Sequence, residues 1–151
     1  MDKVDKATRS RIMASVHRRD TMPEMVLRRG LHRDGFRYRI DVRALPGSPD
    51  IAFPKYGAVV FVHGCFWHRH GCIGTTMPKT NKAFWRRKFE ANQARDEQAI
   101  GDLLAMGWRV CIIWECSLKS PVNAVRTIRK VENWLRSDRR KLEIPPRSKH
   151  T

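Results

Sequence analysis

The sequence predicts an α/β domain with a mixed central sheet flanked by helices, and three observations predict it. Ala58–Val62 and Trp108–Trp114 are short apolar runs of the kind that buried strands carry. Two later segments place apolar residues at helical spacing instead: Ala99, Ile100, Leu103 and Leu104, then Val122, Val125, Ile128, Val131 and Leu135. The order reads helix, helix, three strands, long loop, helix, strand, helix, and strands interleaved with helices pack as layers. A length of 151 residues argues for one domain with a real core.

Each element has its own local signals. Residues 3–19 are rich in charge and read as a basic helix or arm, with a solvated terminus as the alternative. Thr21-Met22-Pro23-Glu24 starts a helix: Thr21 caps, proline sits in the first turn, and Glu24 stands where a capping box needs it. Met25, Leu27 and Leu31 supply its buried stripe and Gly35 its stop. Phe36–Ile40 alternates apolar and basic residues, as a half-buried strand does. Leu45-Pro46-Gly47-Ser48-Pro49 is a loop, Asp50–Phe53 a short strand, and Pro54-Lys55-Tyr56-Gly57 a turn. Residues 63–78 form a dense loop, 81–106 a helix ended by Gly107, and Ser120-Pro121 opens the last helix. Beyond Arg139 the chain turns polar and proline-bearing, which predicts disorder. No internal repeat is visible.

Charge narrows the partners. Lys and Arg total 31 against 15 Asp and Glu, a net charge of +16. Such a field favours a polyanion. An anionic membrane is the weaker choice, because the longest apolar run is far below the ~20 residues that span a bilayer. The N-terminus has no apolar core and does not read as a secretory signal. An intracellular, cytoplasmic setting is therefore expected, with the four cysteines reduced or metal-bound.

His63-Gly64-Cys65-Phe66-Trp67-His68-Arg69-His70-Gly71-Cys72 holds three histidines and two cysteines in ten residues. Zinc favours thiolate and imidazole in tetrahedral sites, and Cys65, His70 and Cys72 lie close enough to converge on one ion. A fourth ligand comes from elsewhere. Cys116, just beyond a strand end, suits better than Cys111, which lies mid-strand and packs as a small hydrophobe. His68 in place of His70 remains an open alternative, since spacing does not order two loop histidines. Surface histidines with buried thiols are the reading without a metal. Phe66, Trp67 and Trp85 are aromatic residues in or near a polar, ligand-bearing loop. They suit base stacking or wedging, or, more simply, cover for the metal loop and the sheet.

This loop, with Pro49-Asp50 before it and Gly107-Trp108-Arg109-Val110 and Trp114-Glu115-Cys116 after it, resembles the very short patch repair endonucleases. Asp5-Lys6-Ala7-Thr8-Arg9-Ser10-Arg11 and Arg19-Asp20-Thr21 fit the same pattern, so the resemblance covers approximately residues 3–136. It implies a variant of the PD-(D/E)XK nuclease core with a structural zinc site. It implies a substrate, duplex DNA with a T·G mismatch, and magnesium-dependent cleavage on the 5′ side of the mismatched thymine. By the same resemblance the zinc ligands are Cys65, His70, Cys72 and Cys116, and the active site is Asp50, His63 and His68 with Glu24. Asp50 and the backbone of Val62 would bind magnesium. Val62 stands where the family often has threonine, and a backbone ligand survives that change. Phe66, Trp67 and Trp85 would intercalate, Met13 would wedge from the arm, and Arg9 and Arg11 would meet phosphates. Asp96 is a looser candidate to orient a histidine.

The chain divides accordingly into a basic N-terminal arm (1–20), an endonuclease domain (21–137) and a disordered basic tail (138–151). A monomer is expected, with other DNA repair proteins as further candidate partners. A related nuclease of different target specificity and a non-enzymatic zinc protein that only binds DNA are the rival readings.

Overall fold

The computed structural model describes residues 21–40, 42–65 and 77–146. The expected arm, with Arg9, Arg11 and Met13, lies outside the described residues. So do Phe66, Trp67, His68, His70 and Cys72 of the loop.

Helix α1 spans Met22–Arg33 and begins as its cap predicts: Glu24 N–H donates to Thr21 Oγ1 at 3.4 Å. Strands follow as β1 (Ile51–Phe53) and β2 (Ala58–His63), then the long helix α2 (Lys82–Ala105), strand β3 (Arg109–Trp114), helix α3 (Pro121–Leu135) and strand β4 (Lys141–Ile144). Short 3-10 turns cover Pro54–Tyr56 and Glu115–Leu118. The sheet order is β1-β2-β3-β4, with β1 antiparallel to β2 and the remaining pairs parallel. This is the expected mixed α/β architecture.

The pleat sends alternate residues to two cores. Ile51, Phe53, Val60, Cys111, Ile113 and Ile144 face α1 and α3, meeting Leu27, Leu31, Ile128, Val131 and Trp134. Ala52, Val59, Phe61, Val110, Ile112 and Trp114 face α2 through Leu103, with Ile100 and Leu104 packed alongside. Cys111 is fully buried in the first core, where burial pushes its thiol pKa far up and keeps it a neutral hydrophobe.

Three expectations change. Residues 36–40 form no named strand: a single bridge joins Arg39 to Ala52. The aromatic rings of that segment are used elsewhere, with Phe36 against Tyr56, Tyr38 against Phe53, and the Tyr38 hydroxyl donating to the Arg28 carbonyl. The buried face of α3 is rotated from the valine series. Val122 and Val125 are 61% and 52% exposed, while Ala124, Thr127, Ile128, Val131, Trp134 and Leu135 are buried. Trp134 is the largest of these, and the Thr127 hydroxyl finds a partner in the Ser117 carbonyl at 2.9 Å. Finally, β4 lies within the stretch expected as a disordered tail. Leu142 and Ile144 join the first core from the sheet edge.

Candidate active site

Parallel β2 and β3 end side by side at His63 and Trp114, and β1 starts at the same edge of the sheet. Asp50 stands just before β1. Its N–H donates to the Val60 carbonyl, and its Oδ2 accepts the N–H of Val62 at 2.7 Å. A carboxylate accepting a short backbone bond is held in place rather than free to rotate. Along a strand, residues two apart send their N–H and C=O to the same side. The Val62 carbonyl therefore faces the β1 edge, as that of Val60 does.

A cavity of about 200 Å³ opens at this edge, lined by Gly47, Ser48, Asp50, Phe61, Val62, His63, Asp96, Ala99 and Ile100. Three stretches far apart in sequence thus bring two carboxylates and an imidazole together. His63 is 6% exposed, and its ring is flanked by Phe61 at 5.5 Å and by Trp114 at 5.3 Å. Asp96 comes from α2, so the looser sequence candidate lines the same cavity as Asp50 and His63. Gly47 and Ser48 of the expected loop also line the cavity. Both have positive φ, which lets the loop turn tightly beneath α2.

The remaining candidates divide. Glu24 is 1% exposed and paired with Arg28 at 2.9 Å, one turn along α1; it does not line the cavity. Trp85 stacks on Phe89 at 5.7 Å and meets Phe84 edge-on, with the Lys88 ammonium 5.9 Å over its ring. Cys65 is buried at the end of β2, and its N–H donates to Glu115 Oε1 at 3.3 Å. That bond brings it to the turn carrying Cys116, and both cysteines belong to the second core. Among the described residues no group of three His, Cys, Asp or Glu side chains is arranged to hold a metal.

The described residues offer donors of the kinds the two implied metals take, and of the four expected zinc ligands Cys65 and Cys116 are the two described. The cavity edge offers oxygen ligands, two carboxylates and a strand carbonyl, which magnesium prefers. Cys65 and Cys116 offer sulfur, which zinc prefers.

An acid–histidine cavity at strand ends is the kind of site hydrolases use, here on a chain whose charge selects a polyanion. Comparison with known proteins makes the class specific. The family model for the DNA mismatch endonuclease Vsr matches residues 1–74. The chain is 44% identical to the DNA mismatch endonuclease Vsr of Escherichia coli K12, over 76% of this chain and 74% of that protein. It is also 44% identical to the type II nicking enzyme V.XorIIP of Xanthomonas oryzae, over 78% and 86%. Against V.NmeAIP of Neisseria meningitidis the identity is 42%, over 74% and 80%. The chain belongs to the Vsr family of DNA mismatch endonucleases. Among the described residues no helix is long and apolar enough to cross a membrane.

Proposed function

We propose that this protein nicks duplex DNA on the 5′ side of the mismatched thymine of a T·G pair, with magnesium at Asp50 and structural zinc in the loop after β2. The fold would then be a PD-(D/E)XK-like core, and the protein would act on cellular DNA in the cytoplasm. The observation that carries the reading is the cavity in which Asp50, His63 and Asp96 meet, on a chain of this family.

Asp50 and the Val62 carbonyl would hold the magnesium. When bound, that ion supplies charge for the phosphate and a more acidic water. The protein's own residues do the rest. The Val62 N–H fixes the Asp50 carboxylate before substrate arrives, so its ordering is not charged to the reaction. His63 or His68 takes a proton from the attacking water, and the other returns one to the leaving 3′ oxygen. An imidazole titrates near enough to neutrality to do either. Asp96 orients whichever imidazole reaches it. Glu24, from the start of α1, is the further site residue that the resemblance implies and would orient a water, although it pairs with Arg28 and does not line this cavity.

Selectivity would come from the loop and the arm. A T·G pair is easier to unstack than a matched pair, and Phe66, Trp67 and Trp85 would fill the gap, with Met13 wedging from the other side. Arg9 and Arg11 would meet phosphates in every sequence alike. Cys65, His70, Cys72 and Cys116 would hold zinc and shape the loop.

The test compares nicking of labelled T·G, fully paired and branched duplexes, with and without magnesium. Magnesium-dependent nicking confined to the thymine strand of T·G supports the proposal. Preference for a paired or branched duplex would mark a related nuclease of other specificity, and binding without cleavage a DNA-binding protein only.

A further inference from the structure

Strand β4 places a carboxylate behind the site. Phe61, Ile112 and Glu143 stand in one row across β2, β3 and β4, and His63 and Trp114 form the next row on the same face. The β3–β4 register ends at Ile113 and Ile144. Trp114 lies one residue past that end. Its indole Nε1–H donates to Glu143 Oε2 at 2.6 Å. Trp114 is 1% exposed and meets the His63 ring nearly perpendicularly, with centroids 5.3 Å apart and planes at 70°.

We infer that Glu143 and Trp114 are positioning residues for His63: the carboxylate of β4 fixes the indole, and the indole fixes the imidazole beside the cavity. A hydrogen bond this short fixes the indole's rotation about its side-chain torsions. Edge-to-face packing then restricts the imidazole, whose ring also lies 5.5 Å from that of Phe61. A reacting group must be held within a fraction of an ångström by the groups behind it. The C-terminal strand is thus part of the catalytic apparatus, although none of its atoms line the cavity. This inference rests on the catalytic reading of His63 given above.

The experiment uses the full-length, metal-loaded enzyme with Glu143→Ala, Glu143→Gln, Trp114→Phe and His63→Ala. Single-turnover nicking of a T·G duplex, its Kd, the thermal midpoint and the imidazole ring signals of His63 by NMR are measured. Glu143→Ala should slow nicking by about 10–100-fold, the scale of a small misplacement, with Kd unchanged, and should shift the His63 signals. Glutamine still accepts the indole N–H, so Glu143→Gln should recover both. Trp114→Phe keeps an aromatic ring but loses the donor, and should behave like Glu143→Ala. Wild-type nicking or unmoved His63 signals in Glu143→Ala would overturn the inference. So would equal losses of rate and midpoint in the alanine and glutamine variants, which would make β4 merely structural. Full nicking in His63→Ala would overturn the catalytic reading itself, while the His63 signals of the Glu143 variants would still report whether the contact chain exists.

Discussion

Replacing Gly47 with alanine should separate two parts of the cavity. Gly47 has φ +73°, and a Cβ built on it would lie 2.6 Å from the Ala99 Cβ and 3.2 Å from the Phe61 ring. Carbon atoms pack at about 3.5–4.0 Å. Helix α2 would therefore have to retreat by about 1 Å at Ala99, three residues from Asp96. The left-handed backbone costs an L residue about 1–2 kcal/mol, and crowding a packed contact adds about 1–3 kcal/mol. Gly57 provides the control, because it shares the left-handed backbone (φ +60°) but a Cβ there meets nothing within 4 Å. Gly57→Ala should carry only the backbone cost and nick normally. Gly47→Ala should lose about 1–3 kcal/mol more, read as urea or thermal midpoints at about 2–4 °C per kcal/mol for a chain of this size. Its single-turnover nicking should fall about 100-fold, the scale of a 1 Å misplacement. Adding Ala99→Gly removes the main clash, so nicking should recover, even though glycine within a helix costs about 1 kcal/mol. Equal stability and equal nicking in Gly47→Ala and Gly57→Ala would refute the reasoning.

Arg109 donates to the carbonyls of Tyr56, Trp134, Leu135, Ser137 and Arg139 and lies 4.8 Å over the Trp134 ring, at the end of β3 remote from the cavity. Arg109→Lys loses at least two of these charge-assisted bonds, about 3 kcal/mol or more by denaturant melting, with nicking intact below the transition; an unchanged midpoint would contradict this. Burial and the neighbouring Asp34 carboxylate push the Glu132 pKa up to about 7, against the pull of Arg136 and Arg129. The folded state then holds a proton that the unfolded chain has released, so stability should fall as pH rises from about 4.5 to about 7. Glu132→Gln should remove that fall in urea midpoints taken across the window; an unaltered slope would show that Glu132 does not cause it. Purified protein should carry one zinc by elemental analysis, lost in Cys65→Ser and Cys116→Ser and kept in Cys111→Ala, whose thiol lies in the other core; equal loss from Cys111→Ala would undo the ligand assignment.

Much of the fold was legible because its signals are local. The Thr21 and Ser120 caps, the glycine stops and the two apolar strands each depend on a few adjacent residues, and all form where expected. What was not legible depends on partners far away. Phe36–Ile40 has strand alternation, yet its rings pack on α1 and the turn after β1. Val122 and Val125 satisfy helical spacing with Ile128, Val131 and Leu135, yet the buried face runs through Ala124, Thr127, Ile128, Val131, Trp134 and Leu135. Lys141–Ile144 is too short and polar to stand out, and it becomes a strand because β3 offers an edge. Asp50 and His63 stand out in the sequence beside Pro49 and a short apolar run, and the structure brings both to one cavity. Gly47 and Glu143 matter through what α2 and β3 bring to them, which spacing along the chain does not record.

The central claim is that Asp50, in the cavity it shares with His63 and Asp96, carries mismatch-directed hydrolysis. The direct test is single-turnover nicking of two end-labelled duplexes that differ only in T·G against T·A, by wild-type and Asp50→Ala protein with magnesium. Binding of each duplex is measured in parallel. The account predicts a nick 5′ to the mismatched thymine by the wild type and little cleavage of the paired duplex. It predicts loss of nicking by orders of magnitude in Asp50→Ala, with T·G binding kept. Undiminished nicking by Asp50→Ala, or equal cleavage of the two duplexes by the wild type, would contradict it.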